Sequence, residues 1–176
     1  MTQRIEGQLK IEDARVLFPN FEGQERQFNR KGLRNFCVVL DEKTAEEMLE
    51  DGWNVKYTKR REEYPDDIPE PFLPVELAYD KGKPPQVVLI TDNGKKRTNL
   101  TEEEVEILDW IEIRSVDLIV NPYNWTQPAR GNIPATHGVK AYLRKLFVVM
   151  EEDDLDRKWA HLESSDEKPK REEEAF

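Results

Sequence analysis

The sequence is short of the residues on which most catalytic and metal chemistry depends. Among 176 residues there is one cysteine, Cys37, and there are two histidines, His137 and His161. A lone cysteine excludes an internal disulfide and makes a reducing compartment the default expectation. Two scattered histidines leave a zinc site without a ligand set of usable spacing. No Gly-rich phosphate loop, GxSxG elbow or HExxH pair occurs. Carboxylates are plentiful, but Asp66-Asp67 sits in a proline-rich connection and Asp153-Asp154 near the terminus, where the rigid placement magnesium needs is not expected. No cofactor, metal or catalytic residue is therefore assigned, and a non-enzymatic protein is expected. No apolar run reaches the roughly 18 residues of a membrane-crossing helix. MTQRIEGQLK lacks the apolar stretch of a signal peptide, so a cytoplasmic setting without membrane attachment is expected.

Positive charge is also in deficit: 27 Lys and Arg stand against 37 Asp and Glu, for a formal net charge of −10. Taken globally, that argues against a nucleic-acid partner. The distribution of the charge points the other way. In residues 151–176, eleven acidic residues oppose five basic ones, a balance of −6 that leaves only −4 for residues 1–150. Global acidity says little about a local groove. The chain divides accordingly into a folded domain, residues 1–150, and an acidic tail, residues 151–176, expected to be disordered. The tail ends with Glu172, Glu173, Glu174, Ala175 and Phe176. A terminal phenylalanine behind three glutamates suits an apolar pocket rimmed by basic residues on a partner, or competition for the chain's own cationic groove. A merely solubilising tail is the plain alternative.

Apolar patterning in the domain is dominated by short strands. Residues 5–18 read as a long first strand, with Leu9 and Ile11 on one parity and Val16 and Phe18 on the other, the signature of a β-bulge. Residues 33–40 (LRNFCVVL) are apolar on both faces beyond Asn35. Asp41 is placed to cap a short helix bearing Ala45, Met48 and Leu49, with Gly52 ending it. Residues 53–57 alternate as a half-buried strand, and the four prolines of residues 64–74 predict an extended surface connection. Strands follow at 75–79 and 86–90. Thr101 to Glu104 forms a capping box for a short helix carrying Val105 and Leu108. Residues 110–120 repeat the parity shift at Ser115, residues 121–138 read as a long exposed hairpin loop, and residues 139–150 form the last strand. The sum is all-β with minor helix, best fitted by a partly open, five-stranded OB-type barrel with long loops; a β-sandwich is the alternative.

Within that frame the basic and aromatic residues gather near one region. Arg26, Arg30, Lys31 and Arg34 lie in or after the loop of residues 21–32, with Phe28 between them; Lys56, Tyr57, Lys59 and Arg60 flank the third strand. Lys140, Arg144 and Lys145 lie on the last strand, and Tyr123 and Trp125 in the predicted hairpin loop. Phosphates require fixed positive charge, and unpaired bases stack on aromatic rings for about 1–3 kcal/mol each. OB barrels clasp ligands between the loops after their first and fourth strands. Single-stranded DNA is the partner this arrangement suits, with Arg26, Arg30, Lys31, Arg34, Lys56, Lys59, Arg60 and Lys140 on phosphates and Phe28, Tyr57, Tyr123 and Trp125 on bases. A charged surface over an aromatic core is the competing reading, and it is favoured for Phe36 and Trp53. An OB module that binds protein instead is the alternative function.

Four motifs carry a resemblance: FNRKGLRNFCVVL from Phe28, DGWNVK from Asp51, NPYNW from Asn121 and GVKAYL from Gly138. Together, and in order over residues 5–155, they resemble a family of phage-encoded single-stranded DNA-binding proteins. Residues 127–136, with Pro128 and Pro134, do not match the family pattern. The resemblance implies an OB fold and coating of single strands during replication, repair or recombination with little sequence preference. The tail and its phenylalanine resemble those of bacterial single-stranded DNA-binding proteins, which implies recruitment of replication or recombination proteins.

Overall fold

Bulged strands shape the architecture. The computed structural model describes residues 7–60, 62–64 and 66–152. The expected tail from residue 153 on, including Glu172, Glu173, Glu174 and Phe176, lies outside the described residues, as does the start of the first predicted strand. That first strand is two elements, β1 (Leu9–Ala14) and β2 (Val16–Asn20), joined through Arg15. The break coincides with the parity shift: β1 loses register between Ile11 and Ala14, and Asp13 takes φ 52°. β3 (Arg34–Val39) leads into helix α1 (Glu42–Glu50). The Asp41 carboxylate accepts the Thr44 N–H at 2.7 Å, a bond that holds its pKa below the usual carboxylate value. Gly52, at φ 90°, ends the helix in the left-handed conformation. Ala45 and Met48 are buried, whereas Leu49 is exposed.

Sheet order is β1-β8-β9-β5-β3-β2, where β5 is Pro71–Leu77, β8 Ile113–Gln127 and β9 Thr136–Met150. The sheet is not closed by hydrogen bonds between its ends. Those ends, β1 and β2, are nevertheless consecutive in the chain, so one bent strand touches β8 with its first half and β3 with its second. With the parallel β5–β9 pairing, this is an all-β, OB-like fold. Further strands attach to it: β4 (Lys56–Tyr57) beside β5, and the hairpin of β6 (Gln86–Thr91) and β7 (Lys96–Leu100), whose β6 runs parallel to β9. A 3-10 helix, Val105–Asp109, buries Val105 and Leu108, and Glu104 accepts the Thr101 N–H at 2.9 Å as the capping box requires.

Several predicted boundaries need correction. Among the described residues there are nine strands, the barrel-like set being extended by β4 and the β6–β7 hairpin. Of residues 53–57 only Lys56 and Tyr57 form a strand; Trp53 makes an isolated bridge to Val139, buried in the core. β5 begins at Pro71 and contains Pro74, so the proline-rich connection is shorter than predicted. The Pro71 carbonyl accepts from Leu40, so alternate residues point their backbone groups toward β3 and Pro74 points its own the other way. On that side Phe72 pairs with β4 and Val75 with β9, and Pro74 falls in the gap, where a missing N–H breaks no ladder bond. Trp110 precedes β8 rather than starting it. The predicted loop of residues 121–138 is largely strand: β8 runs to Gln127 and β9 starts at Thr136. Among the described residues β1 pairs with β8 only as far as Val120, so Pro122 lies beyond the ladder they form.

The core lies beneath this sheet, with Phe36, Val38, Leu73, Val75, Leu118, Leu146 and Val148 among its fully buried members. Phe21, the first residue of the basic loop, is fully buried and stacks on Phe36 at 5.0 Å between ring centroids.

Candidate nucleic-acid interface

Residues directly opposite one another across strands share a face of the sheet. Because Phe36, Val38, Leu73 and Val75 face the core, their neighbours face outward. One outward row crosses five strands: Asn20, Asn35, Glu76, Tyr142 and Asn121. A second holds Leu17, Cys37 and Pro74 on β2, β3 and β5, and the Lys140–Tyr123 pair continues the face on β9 and β8. Val39, Phe72 and Lys56 follow, with the Gly138–Trp125 pair beyond them. At the usual strand spacing this face spans roughly 19 Å from β2 to β8. The loop of residues 21–33 bounds one end, and the β8–β9 turn, with Arg130 and Ile133 exposed, extends from the other.

Polar side chains fix the first loop at its root. The Asp109 carboxylate accepts the Phe21 and Glu22 N–H groups at 2.8 and 2.9 Å. Asn20 exchanges hydrogen bonds with the Gln24 backbone, while Asn29 donates to Gln24 and Leu33 carbonyls and accepts from Asn35 at 2.6 Å. Gly23, at φ 77°, lies against Gly32, and an added Cβ there would stand 3.1 Å from the Gly32 carbonyl carbon, so position 23 favours a bare backbone. The loop is thus a fixed support that holds Arg26, Arg30 and Lys31 out to solvent and leaves Phe28 92 % exposed. Arg34 serves the support itself: it donates to the Phe21 carbonyl at 2.8 Å, lies 3.9 Å from Glu102 and sits 6.0 Å from the Tyr79 ring centroid. Arg30, Lys31, Arg34, Tyr79 and Lys81 line a groove of 280 Å³ beside the loop. Burial pushes the Tyr79 hydroxyl up to about 12, and that hydroxyl has no partner among the described residues.

The groove opens onto an aromatic cluster. Tyr142 and Tyr123 meet edge to face at 5.7 Å. The Lys81 ammonium donates to the Tyr142 hydroxyl at 3.1 Å, which raises its pKa, and it lies 5.1 Å from that ring's centroid; Lys140 lies 5.3 Å from the same centroid. Lys140 also pairs at 2.6 Å with Glu76, a carboxylate only 7 % exposed. Trp125 lies over Gly138 so closely that a Cβ there would sit 2.7 Å from its ring. Phe18, exposed and re-aimed by φ 50° at its bulge, meets Phe72 edge to face at 5.5 Å. Farther along β9, Arg97 and Lys145 stand 5.5 and 5.9 Å from the Phe147 ring centroid.

The structure brings together Arg30, Lys31, Arg34, Lys56, Tyr123, Trp125 and Lys140 on this face or at its loop, with Arg26 and Phe28 at the loop tip. Tyr57 alternates to the side opposite Lys56, and its hydroxyl donates to Glu42 of α1. Lys59 and Arg60 are exposed beyond the end of β4, outside the sheet. Sequence reasoning missed Tyr142, Lys81, Phe18 and Phe72. Tyr142 was recoverable, because in GVKAYL it shares parity with Lys140; Lys81 and Phe18 depend on loop and bulge geometry with no sequence signal. Among the described residues no group of three or more His, Cys, Asp or Glu side chains is placed to hold a metal.

Comparison with known proteins finds a family and similar structures. The family model of the phage ssDNA-binding domain matches residues 1–175. Two solved structures of the single-stranded DNA-binding protein from bacteriophage Enc34 are similar. Its C-terminal truncation has 12 % identity and a TM-score of 0.47, over 84 % of this chain and 87 % of that one. Its complex with ssDNA has 11 % identity and a TM-score of 0.47, over 84 % and 88 % of the two chains. No curated protein matches.

Proposed function

The chain belongs to the phage ssDNA-binding domain family, and from that premise we propose that the outward face of β2, β3, β5, β9 and β8 is where it holds a single strand. The observation that carries the reading is the Tyr123–Tyr142 pair flanked by Lys81 and Lys140, lying between a supported cationic loop and Trp125. Bases offer π-faces whatever their identity, so rings on a flat face bind sequence-tolerantly. Arg26, Arg30, Lys31, Lys56 and Lys140 neutralise phosphates, with Arg34 holding the loop that carries the first three; Phe28, Tyr123, Trp125 and the added Tyr142 stack on bases. Lys59, Arg60 and Tyr57 lie toward the β4 end, where a longer strand would leave the face.

The protein works without catalysis, protecting single strands in the host cytoplasm during phage DNA replication, repair or recombination. Residues 1–150 do the binding. Residues 151–176, through Glu172, Glu173, Glu174 and Phe176, engage basic, apolar-pocketed replication or recombination proteins. Photo-crosslinking with oligo-dT carrying 5-iodo-deoxyuridine tests the face directly. Adducts are expected on Tyr123, Trp125, Tyr142 and Phe28. Bound DNA whose adducts fall only on Trp110 or Tyr64 would refute it.

A further inference from the structure

A second concavity lies where β7 and the 3-10 helix meet, and it shares no residue with the DNA face. Leu89, Thr98, Leu100, Ile107 and Trp110 line a groove of 940 Å³, and Glu103, Glu104 and Glu106 rim it. Leu89 is opposite Thr98 and Leu100 opposite Val87, so these side chains leave the hairpin on its core-facing side. That side outruns the core, and Trp110 is left 75 % exposed beside it. A tryptophan at the mouth of an apolar, acid-rimmed groove calls for an occupant with apolar anchors and positive charge.

We propose that the occupant is residues 155–162 of the same chain. The end of β9 delivers them there. The Glu151 N–H donates to the Glu112 carbonyl at 2.8 Å, two residues after Trp110. The Glu152 carboxylate accepts the Asp92 N–H at 2.7 Å and binds Asn93 as well, at the tip of the β6–β7 hairpin. The chain therefore leaves Glu152 held between the hairpin tip and the segment that follows Trp110, next to the elements that line the groove. Leu155 is three residues on, within about 10 Å of extended chain. The sequence of this segment, LDRKWAHL, complements the groove. Leu155, Trp159 and Leu162 are the only large apolar residues between Met150 and Phe176, and they recur at the spacing of one helical face. Arg157 and Lys158 bring positive charge to the acidic rim of Glu103 and Glu106, in a tail otherwise dominated by acids. The seated segment covers Trp110 and fixes the point from which residues 163–176 depart. It does so whether or not the outward face of the sheet holds DNA.

Hydrogen–deuterium exchange on the full chain tests it, comparing wild type with the surface variants Glu103→Lys/Glu106→Lys and Trp110→Ala. Amides of residues 157–162 are expected to exchange at least about tenfold more slowly than a free peptide, and each groove variant to abolish that protection while β8 and β9 stay protected. Wild-type amides exchanging at the free-peptide rate would overturn the proposal. So would protection that survives both groove variants. Protection that fades on roughly hundredfold dilution would assign the groove to a second copy of the chain and equally overturn it.

Discussion

Replacing Trp125 with alanine separates a base-stacking role from a structural one. Trp125 is half-buried on β8 beyond its described pairing with β1, and its described support is the bare backbone of Gly138 opposite. Truncation therefore removes little packing and leaves the core beneath β9 untouched. If one base stacks on the exposed side of the indole, the loss is about 1–3 kcal/mol, an affinity for oligo-dT weaker by roughly 5- to 150-fold. The urea midpoint should barely move. Gly138→Ala provides an independent route to the same site, because the new Cβ would stand 2.7 Å from the Trp125 ring and must displace it. The tryptophan is retained, yet affinity should fall in the same direction. Fluorescence anisotropy with labelled oligo-dT reads both variants. Unchanged affinity in Trp125→Ala, with the fold intact, would refute the stacking assignment, and a fall in stability matching the fall in affinity would return Trp125 to a structural role.

Other outcomes follow from the same structure. Phe36→Ala should cost about 3–5 kcal/mol by the shift of the urea midpoint at constant slope, since Phe36 is fully buried against Phe21; a cost below about 1 kcal/mol would contradict a tightly packed pair. Burial pushes the Cys37 thiol up to about 11, with Lys56 pulling partly back. The unfolded chain ionises its thiol first, so this contribution is complete below the ordinary thiol pKa and is lost as pH rises toward 11. Stability measured between about pH 8 and 10.5 should decline more steeply in wild type than in Cys37→Ala, and parallel declines would count against it. Deleting residues 163–176 should tighten oligo-dT binding, most at low salt, by removing an internal acidic competitor; equal or weaker binding would show that the tail stays off the face.

Features set by local chemistry were legible in the sequence. The parity shift at residues 11–16 marked the bulge between β1 and β2, the shift at Ser115 reappears in β8, and Asp41 with Gly52 marked both ends of α1. Phe36 and Trp53 were readable as core. What failed depended on neighbours. β7, with the sequence KRTNL, has no apolar stripe of its own and is a strand because β6 pairs with it. Pro74 and Pro122 signalled loop, yet among the described residues each sits where its missing N–H breaks no ladder bond, and only the topology reveals such places. For the same reason Tyr123 and Trp125 stand on β8 rather than in a loop, which makes their platform firmer than predicted. Alternation separated Lys56 from Tyr57, but which of the two faced outward was set by the register with β5. Asp109 holds the basic loop from 87 or more residues away, beyond any local signal.

Whether the outward face holds single strands is tested most directly by fluorescence anisotropy of the full chain. Labelled oligo-dT and a matched duplex are each titrated over a series of salt concentrations. Tight binding to the single strand only is expected, weakening with a log–log slope of about −0.7 per phosphate contacted. Lys140→Ala and Lys31→Ala should each make that slope shallower. Equal affinity for duplex, or no binding to either at low salt, would contradict a single-strand-binding face.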